Sequence, residues 1–194
     1  MLRSFGLICR ALAYLREHEP GLLEHVRIEL YGTMLGWREG DPSHLAELAL
    51  EHGVADLVRE DPRRVAYRRS VQLLLDGDGA LVLGVDDAGY MPSKLFSYAN
   101  SGRPLLAALH RDSPAFAQFE STPGMGHAIW FDQSGDMPVA EAAQAARNFL
   151  QEATNHLHFN RQTMLESHMA PAMARRHTEL FEACLRTDGS ISAR

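Results

Sequence analysis

The residues with the clearest chemical potential lie together near the middle of the chain. Met91-Pro92-Ser93-Lys94 follows the apolar run Ala80-Leu81-Val82-Leu83-Gly84-Val85. That run reads as a central parallel strand buried on both faces. Met91-Pro92-Ser93 reads as the start of a helix that continues to Asn100. Ligands of open α/β sheets bind at the carboxyl ends of the strands. A helix start at that place offers unpaired backbone N–H groups and a positive dipole end. The Lys94 ammonium adds a compact charge suited to phosphate oxygens. The chemistry predicted is diphosphate binding by Ser93 and Lys94. On the residues alone, a capping serine beside a solvated surface lysine is the plainer alternative. Lys94 is also the sole lysine of a chain with 19 basic residues. Codon bias accounts for the arginines but not for where the lysine stands. Tyr98, one turn later, reads as core.

A second basic group comprises Arg59, Arg63, Arg64, Arg68 and Arg69. A solvated helix face suits the last four, while Arg59 follows an extended piece directly and is the better ligand candidate. The turn Gly32-Thr33-Met34-Leu35-Gly36 is not GxGxxG, and no acidic residue lies at the distance a dinucleotide ribose requires. Ten histidines are present without HExxH or paired-cysteine spacing, so no metal is expected. Without GxSxG, and without partners for Ser93 or Ser113, a serine hydrolase has no support. Cys9 and Cys184 are far apart and read as reduced thiols. A net charge of −6 argues against a general nucleic-acid binder. No apolar run approaches the ~18 residues of a membrane span. Arg10, Arg16 and Glu17 interrupt the apolar amino terminus, which argues against a signal peptide. Together these point to a cytoplasmic protein.

The elements that must position these residues alternate between helix and strand, the pattern of a layered α/β domain with a parallel sheet. With 194 residues, 45% of them hydrophobic, the chain is long enough for one well-buried domain or slightly more. A helix is predicted from Phe5 to His18, with Phe5, Ile8, Leu12 and Leu15 on one face. A strand over 26–31 ends at Gly32. Asp41-Pro42 is read as an N-cap and first position of a helix reaching His52. An extended piece covers 56–59, and a helix 66–75. Ser101-Gly102-Arg103-Pro104 stops the helix that starts near Ser93, because glycine supplies the left-handed position and proline cannot continue. Leu105–Leu109 is a buried strand, Ser113-Pro114 caps a short helix, and Gly126–Phe131 is the last strand. A helix then runs from Asp136 to about Glu152, and a helical region begins at His158. The boundaries expected are 1–157 for the α/β domain and 158–194 for a helical extension packing on it. A doubly wound domain normally opens with a strand, whereas this chain opens in a helix, as though one strand into the domain.

Residues 91–106, Met-Pro-Ser-Lys-Leu-Phe-Ser-Tyr-Ala-Asn-Ser-Gly-Arg-Pro-Leu-Leu, closely resemble the donor-site segment of family-4 glycosyltransferases of the GT-B fold, in the subgroup reading PSKLFEYLAxGRPVL. The element order agrees over nearly the whole chain, including the closing helical segment Asn160 through Leu185. The resemblance implies the carboxyl-terminal, Rossmann-like half of a GT-B enzyme, with its first strand missing and long terminal helices. It implies a retaining transferase that takes a sugar from a nucleotide-diphosphate donor to a glycan, lipid or other acceptor, without a cofactor or metal. Lys94 would be the catalytic residue, stabilising charge on the departing diphosphate. Gly89, Tyr90 and Ser97 would meet the donor sugar and ribose, and Arg59 the base. The family carries two glutamates eight positions apart, and these places hold Gly89 and Ser97 here, so both carboxylates are missing. Asp86 and Asp87 lie nearby. The acceptor side belongs to an amino-terminal domain, in cis or in trans, through which any peripheral membrane contact would come. Without it the chain is expected to be inactive. Two other readings stand beside this one: a non-catalytic or split-subunit assembly module, and a sugar-nucleotide epimerase-like enzyme, which the Ser-Lys-Leu-Phe-Ser-Tyr helix fits less well.

Overall fold

The computed structural model describes residues 1–34 and 36–188. It divides into two compact units, residues 1–159 and residues from Asn160 onward.

The first unit is α/β, with parallel-dominated sheets flanked by helices. Helix α1 spans Leu2–His18, and a 3-10 turn, Pro20–Leu23, leads to strand β1, Ile28–Tyr31. Helix α2, His44–Glu51, and a 3-10 turn at Ala55–Leu57 connect to β2, Val58–Asp61. Helix α3, Tyr67–Asp76, precedes β3, Ala80–Leu83; α4, Leu95–Asn100, precedes β4, Leu105–His110. Helix α5, Pro114–Ser121, leads to β5, His127–Asp132; the two-residue β6, Gly135–Asp136, leads to α6, Val139–Thr154. In the second unit, α7 covers Gln162–Leu165, a 3-10 turn Glu166–His168, and α8 Ala170–Asp188.

The strands fall into two sheets. Strands β1 and β2 form a parallel pair, Ile28 opposite Val58 and Tyr31 opposite Asp61. The other sheet has the order β3-β4-β5-β6, parallel except for the short antiparallel β6. Strand β4 sits inside this sheet and is buried at all six positions, so its continuous apolar run is that of a parallel strand covered on both faces. Strand β3 corrects the expectation of a central strand. It is the edge of its sheet, with Ala80 and Val82 buried and Leu81 and Leu83 only partly so. An apolar run records the hydrophobicity of both faces, whereas burial depends on which strands stand on either side.

One core joins the two sheets. Phe5, Ile8, Leu12 and Leu15 of α1 pack with Leu30, Leu106, Ile129, Phe131, Ala146 and Phe149. The predicted face of α1 is therefore the buried one, although Leu7, Cys9 and Ala11 are buried as well. Burial pushes the Cys9 thiol up to about 12, so it stays a protonated, inert core group.

Several boundaries differ from expectation for local reasons. Helix α2 starts at His44 with Ser43 before it, because the Asp41 carboxylate turns back to accept from the Arg38 N–H at 2.7 Å. Helix α6 starts at Val139, and Asp136 belongs to β6. Ser113 does cap α5, accepting from the Phe116 N–H at 3.2 Å with Pro114 at the first position. Gly102, at φ +77°, holds the left-handed position that ends α4, and a side chain there would collide with the His158 ring.

Candidate functional site

The predicted diphosphate site begins where β3 ends. Gly84 donates its N–H to the Ala108 carbonyl at 2.8 Å, and residues 86–90 then run exposed over the carboxyl end of the sheet. Asp87 shapes this loop: its carboxylate accepts from the Gly89 N–H at 2.8 Å and its carbonyl from the Tyr90 N–H at 3.2 Å. This is the local side-chain turn for which aspartate is suited. Pro92 is buried and anchors the far side of the loop.

The helix that follows corrects the sequence reading at one point. Ser93 is not its N-cap: α4 begins at Leu95, preceded by a turn in which the Leu95 N–H reaches the Pro92 carbonyl at 3.0 Å. Lys94 occupies the N-cap position, with no capping side-chain bond. Because α4 has six residues, its end supplies a smaller dipole than a full-length helix. Ser93, Lys94 and Ser97 are exposed, as are Gly89 and Tyr90. These five candidates therefore share one exposed loop and the first turn of one helix. Tyr98 is half-buried, and burial raises its phenol pKa.

Arg59 is placed elsewhere. It is exposed on β2, opposite Glu29 of β1, in the two-stranded sheet. Its charge acts on Tyr31 and Asp61. Of the other arginines, Arg63 is held by its own turn, its guanidinium 2.7 and 2.8 Å from the Asp61 carboxylate. That contact holds the Asp61 carboxyl at about 2. Arg64, Arg68 and Arg69 are exposed. In the turn 32–36, Leu35 lies outside the described residues, and the Thr33 hydroxyl bonds the Glu60 carboxylate.

Two residues with clear work in this unit were not singled out from the sequence. Glu60 accepts from the Leu45 and Ala46 N–H groups at 3.0 and 2.9 Å, so its own carboxylate occupies the positive end of α2. Arg3 is the second. Its guanidinium donates to Asp136 at 2.9 Å, to Asp86 at 3.1 Å, and to the Asp132 and Gly135 carbonyls at 2.6 and 3.1 Å. It also lies over the Phe131 ring, 4.9 Å from the centroid. Arg3 therefore ties the start of α1 and the β5–β6 turn to Asp86, the first residue of the candidate loop. Burial pushes the Asp136 carboxyl up, but Arg10 and Arg3 outweigh it and hold it below the usual range. No spacing rule could have found Arg3, since its partners are 83 to 133 residues away.

A cleft of about 290 Å³ lined by Arg16, Pro20, Leu23, Glu24, Val26, Asp56 and Leu57 lies before the amino ends of β1 and β2 and includes none of the candidate residues. Among the described residues, no group of three histidine, cysteine or acidic side chains could hold a metal ion, and no helix is long and apolar enough to cross a membrane.

Comparison with known proteins gives one partial relationship. The chain is 38% identical over 61 residues to the D-inositol 3-phosphate glycosyltransferase of Thermomonospora curvata. The match covers 31% of this chain and 14% of that protein. No family model matches the chain, and no solved structure matches it. An α/β unit with a parallel sheet and this partial identity support a relation to glycosyltransferases of the broad GT-B class.

Proposed function

We propose that this chain is a nucleotide-sugar donor-binding domain of a retaining, family-4-like glycosyltransferase, and that Lys94 meets the donor diphosphate. The observation that carries the reading is the gathering of Gly89, Tyr90, Ser93, Lys94 and Ser97 on one exposed segment at the carboxyl end of β3. The partial identity to a glycosyltransferase supports it. In this role the Lys94 ammonium and the Ser93 and Lys94 backbone N–H groups would stabilise negative charge developing on the departing diphosphate. Ser97 would offer a hydroxyl to the ribose, and Gly89 and Tyr90 would lie along the donor sugar. Arg59, on the other sheet, is proposed for the base. No metal or cofactor enters this scheme.

With Gly89 and Ser97 in place of the family's two glutamates, ribose and sugar lose their carboxylate partners, so the donor would bind weakly. Sugar transfer would require an acceptor-binding domain, in cis or in trans. The same two replacements favour a second reading, a non-catalytic binding or assembly module. Calorimetric titration with UDP, GDP and their sugars, on the chain and on Lys94→Ala, tests the site, and an assay of sugar transfer tests the need for a second domain. Binding reduced by about tenfold or more in the variant, the loss expected for one charge-assisted contact of about 1.5 kcal/mol, supports the site. Equal binding by both removes Lys94 from it. Sugar transfer by the chain alone would overturn the requirement for a second domain.

A further inference from the structure

The carboxyl end of the four-stranded sheet holds a buried imidazole that the proposed site leaves unused. His110 is the last residue of β4, and its side chain is only 4% exposed. Strand β4 runs two residues past its Leu83–Ala108 pair. His110 therefore stands level with the point where the chain leaves β3 for the exposed loop 86–90. On the other side it pairs with Phe131 of β5.

The ring is fixed by its neighbours. The Asp112 N–H donates to Nδ1 at 3.2 Å, while the Asp112 carboxylate stays 3.9 Å away, beyond hydrogen-bond reach. Phe131 meets the imidazole edge-on, with ring centroids 5.8 Å apart. Phe131 is itself fully buried and lies under the Arg3 guanidinium, which also bonds Asp86. A backbone N–H can only donate, so Nδ1 presents its lone pair and the neutral ring carries its hydrogen on Nε2. Nε2 has no partner among the described residues and reaches solvent. The result is a donor of fixed orientation at the end of the sheet where ligands of open α/β folds bind. Because packing already holds the ring, a ligand oxygen meeting Nε2 would cost little ordering entropy.

We infer that His110 is a further ligand-binding residue of this site, donating its Nε2–H to an oxygen of the bound nucleotide-sugar. The inference rests on the donor-site reading and adds a contact from a second strand to it. As a donor, His110 does not replace the carboxylates missing at Gly89 and Ser97, which would accept from hydroxyls. It meets an accepting oxygen, and phosphate and sugar oxygens both qualify.

Two substitutions test it. His110→Asn keeps an amide oxygen near Nδ1 for the Asp112 N–H and removes the Nε2 donor, whereas His110→Gln places an amide N–H near Nε2. By calorimetry, His110→Asn should weaken binding of UDP- or GDP-sugar at least about fivefold, and His110→Gln should recover most of the loss. UDP and GDP alone locate the oxygen: a loss on the bare diphosphates places it there, and a loss only with the sugar attached places it on the sugar. An equal loss in both variants would mark a packing role and overturn the inference. Unchanged binding in both, with Lys94→Ala impaired, overturns it alone; no nucleotide binding by the wild type overturns it together with the donor-site reading. Loss in His110→Asn with Lys94→Ala unaffected supports His110 and takes Lys94 out of the site. Long-range proton–nitrogen NMR spectra of the wild type, at about pH 8 where histidine is neutral, need no variant to fold. They should show the His110 hydrogen on Nε2 and a shift when nucleotide-sugar is added; a hydrogen on Nδ1 overturns the inference.

Discussion

Helix α1 packs in the core shared by the two sheets and α3 links β2 of one to β3 of the other, and both have an amphipathic sequence. Helix α1 places Phe5, Leu7, Ile8, Cys9, Ala11, Leu12 and Leu15 in the core, whereas α3 buries nothing, and Tyr67 at its start is 82% exposed. The strands differ in the same sense. Strand β4 is buried throughout, whereas β2 has no buried position. A periodic apolar pattern is enough to form a helix, but the stability it contributes depends on what lies opposite. In this protein stability is concentrated where α1, α6 and β4 meet, and the β1–β2 pair with α3 is the thinly covered side.

The sharpest test of that contrast is truncation in α1. Phe5→Ala, at a position with no exposure, should cost roughly 3–5 kcal/mol in urea unfolding, from lost transfer energy and the cavity left behind. A cost below about 1 kcal/mol would contradict the placement of α1 at the centre of the core.

Next is Arg3→Met, which keeps the apolar stem over Phe131 and removes the donors. Charge-assisted hydrogen bonds contribute about 1.5–3 kcal/mol each when buried, and partial exposure of Arg3 and Asp86 puts this loss near the low end. The change also alters the acid limb of stability. A carboxylate held below its unfolded value of about 3.9 contributes stability that is present above that pH and is lost as pH falls through the lower folded value. Asp136 is such a group. The wild type should therefore lose stability as pH falls from about 4, and Arg3→Met should flatten that slope. Unchanged pH dependence would show that Arg3 does not hold Asp136 in solution.

A smaller loss is expected from Ser4→Ala. The buried hydroxyl lies 2.8 Å from the Gly84 carbonyl and 2.7 Å from that of Met1, and its removal should cost about 1 kcal/mol by thermal unfolding. The smallest effects should come from α3: Tyr67→Ser and Leu75→Ala should each stay within about 0.5 kcal/mol. A larger loss at either would mean that α3 is covered in solution, and the contrast with α1 would fall.

The candidate segment shows what could be read in advance. The positions of Gly102 and Pro104 give the end of α4 correctly, because a left-handed glycine and a following proline act within one turn. The start of α4 is read one turn early. Ser93 has the right chemistry for a cap, but the Asp87 turn and the buried Pro92 fix the preceding loop and move the first helical residue to Leu95. That Gly89, Tyr90, Ser93, Lys94 and Ser97 lie on one segment follows from their being neighbours in sequence. That Asp86 belongs to Arg3 could not be read, since the bond spans 83 residues.

The sequence by itself determined the order of helices and strands, the buried face of α1, the cap on α5 and the α/β class, all of which rest on periodicity and on interactions within a few residues. Tertiary structure alone decided that β3 is an edge, that the strands fall into two sheets, that Glu60 fills the start of α2 and that Arg3 holds the loop before Lys94. These depend on which segments become neighbours across the sheet, and a one-dimensional pattern carries that information only weakly.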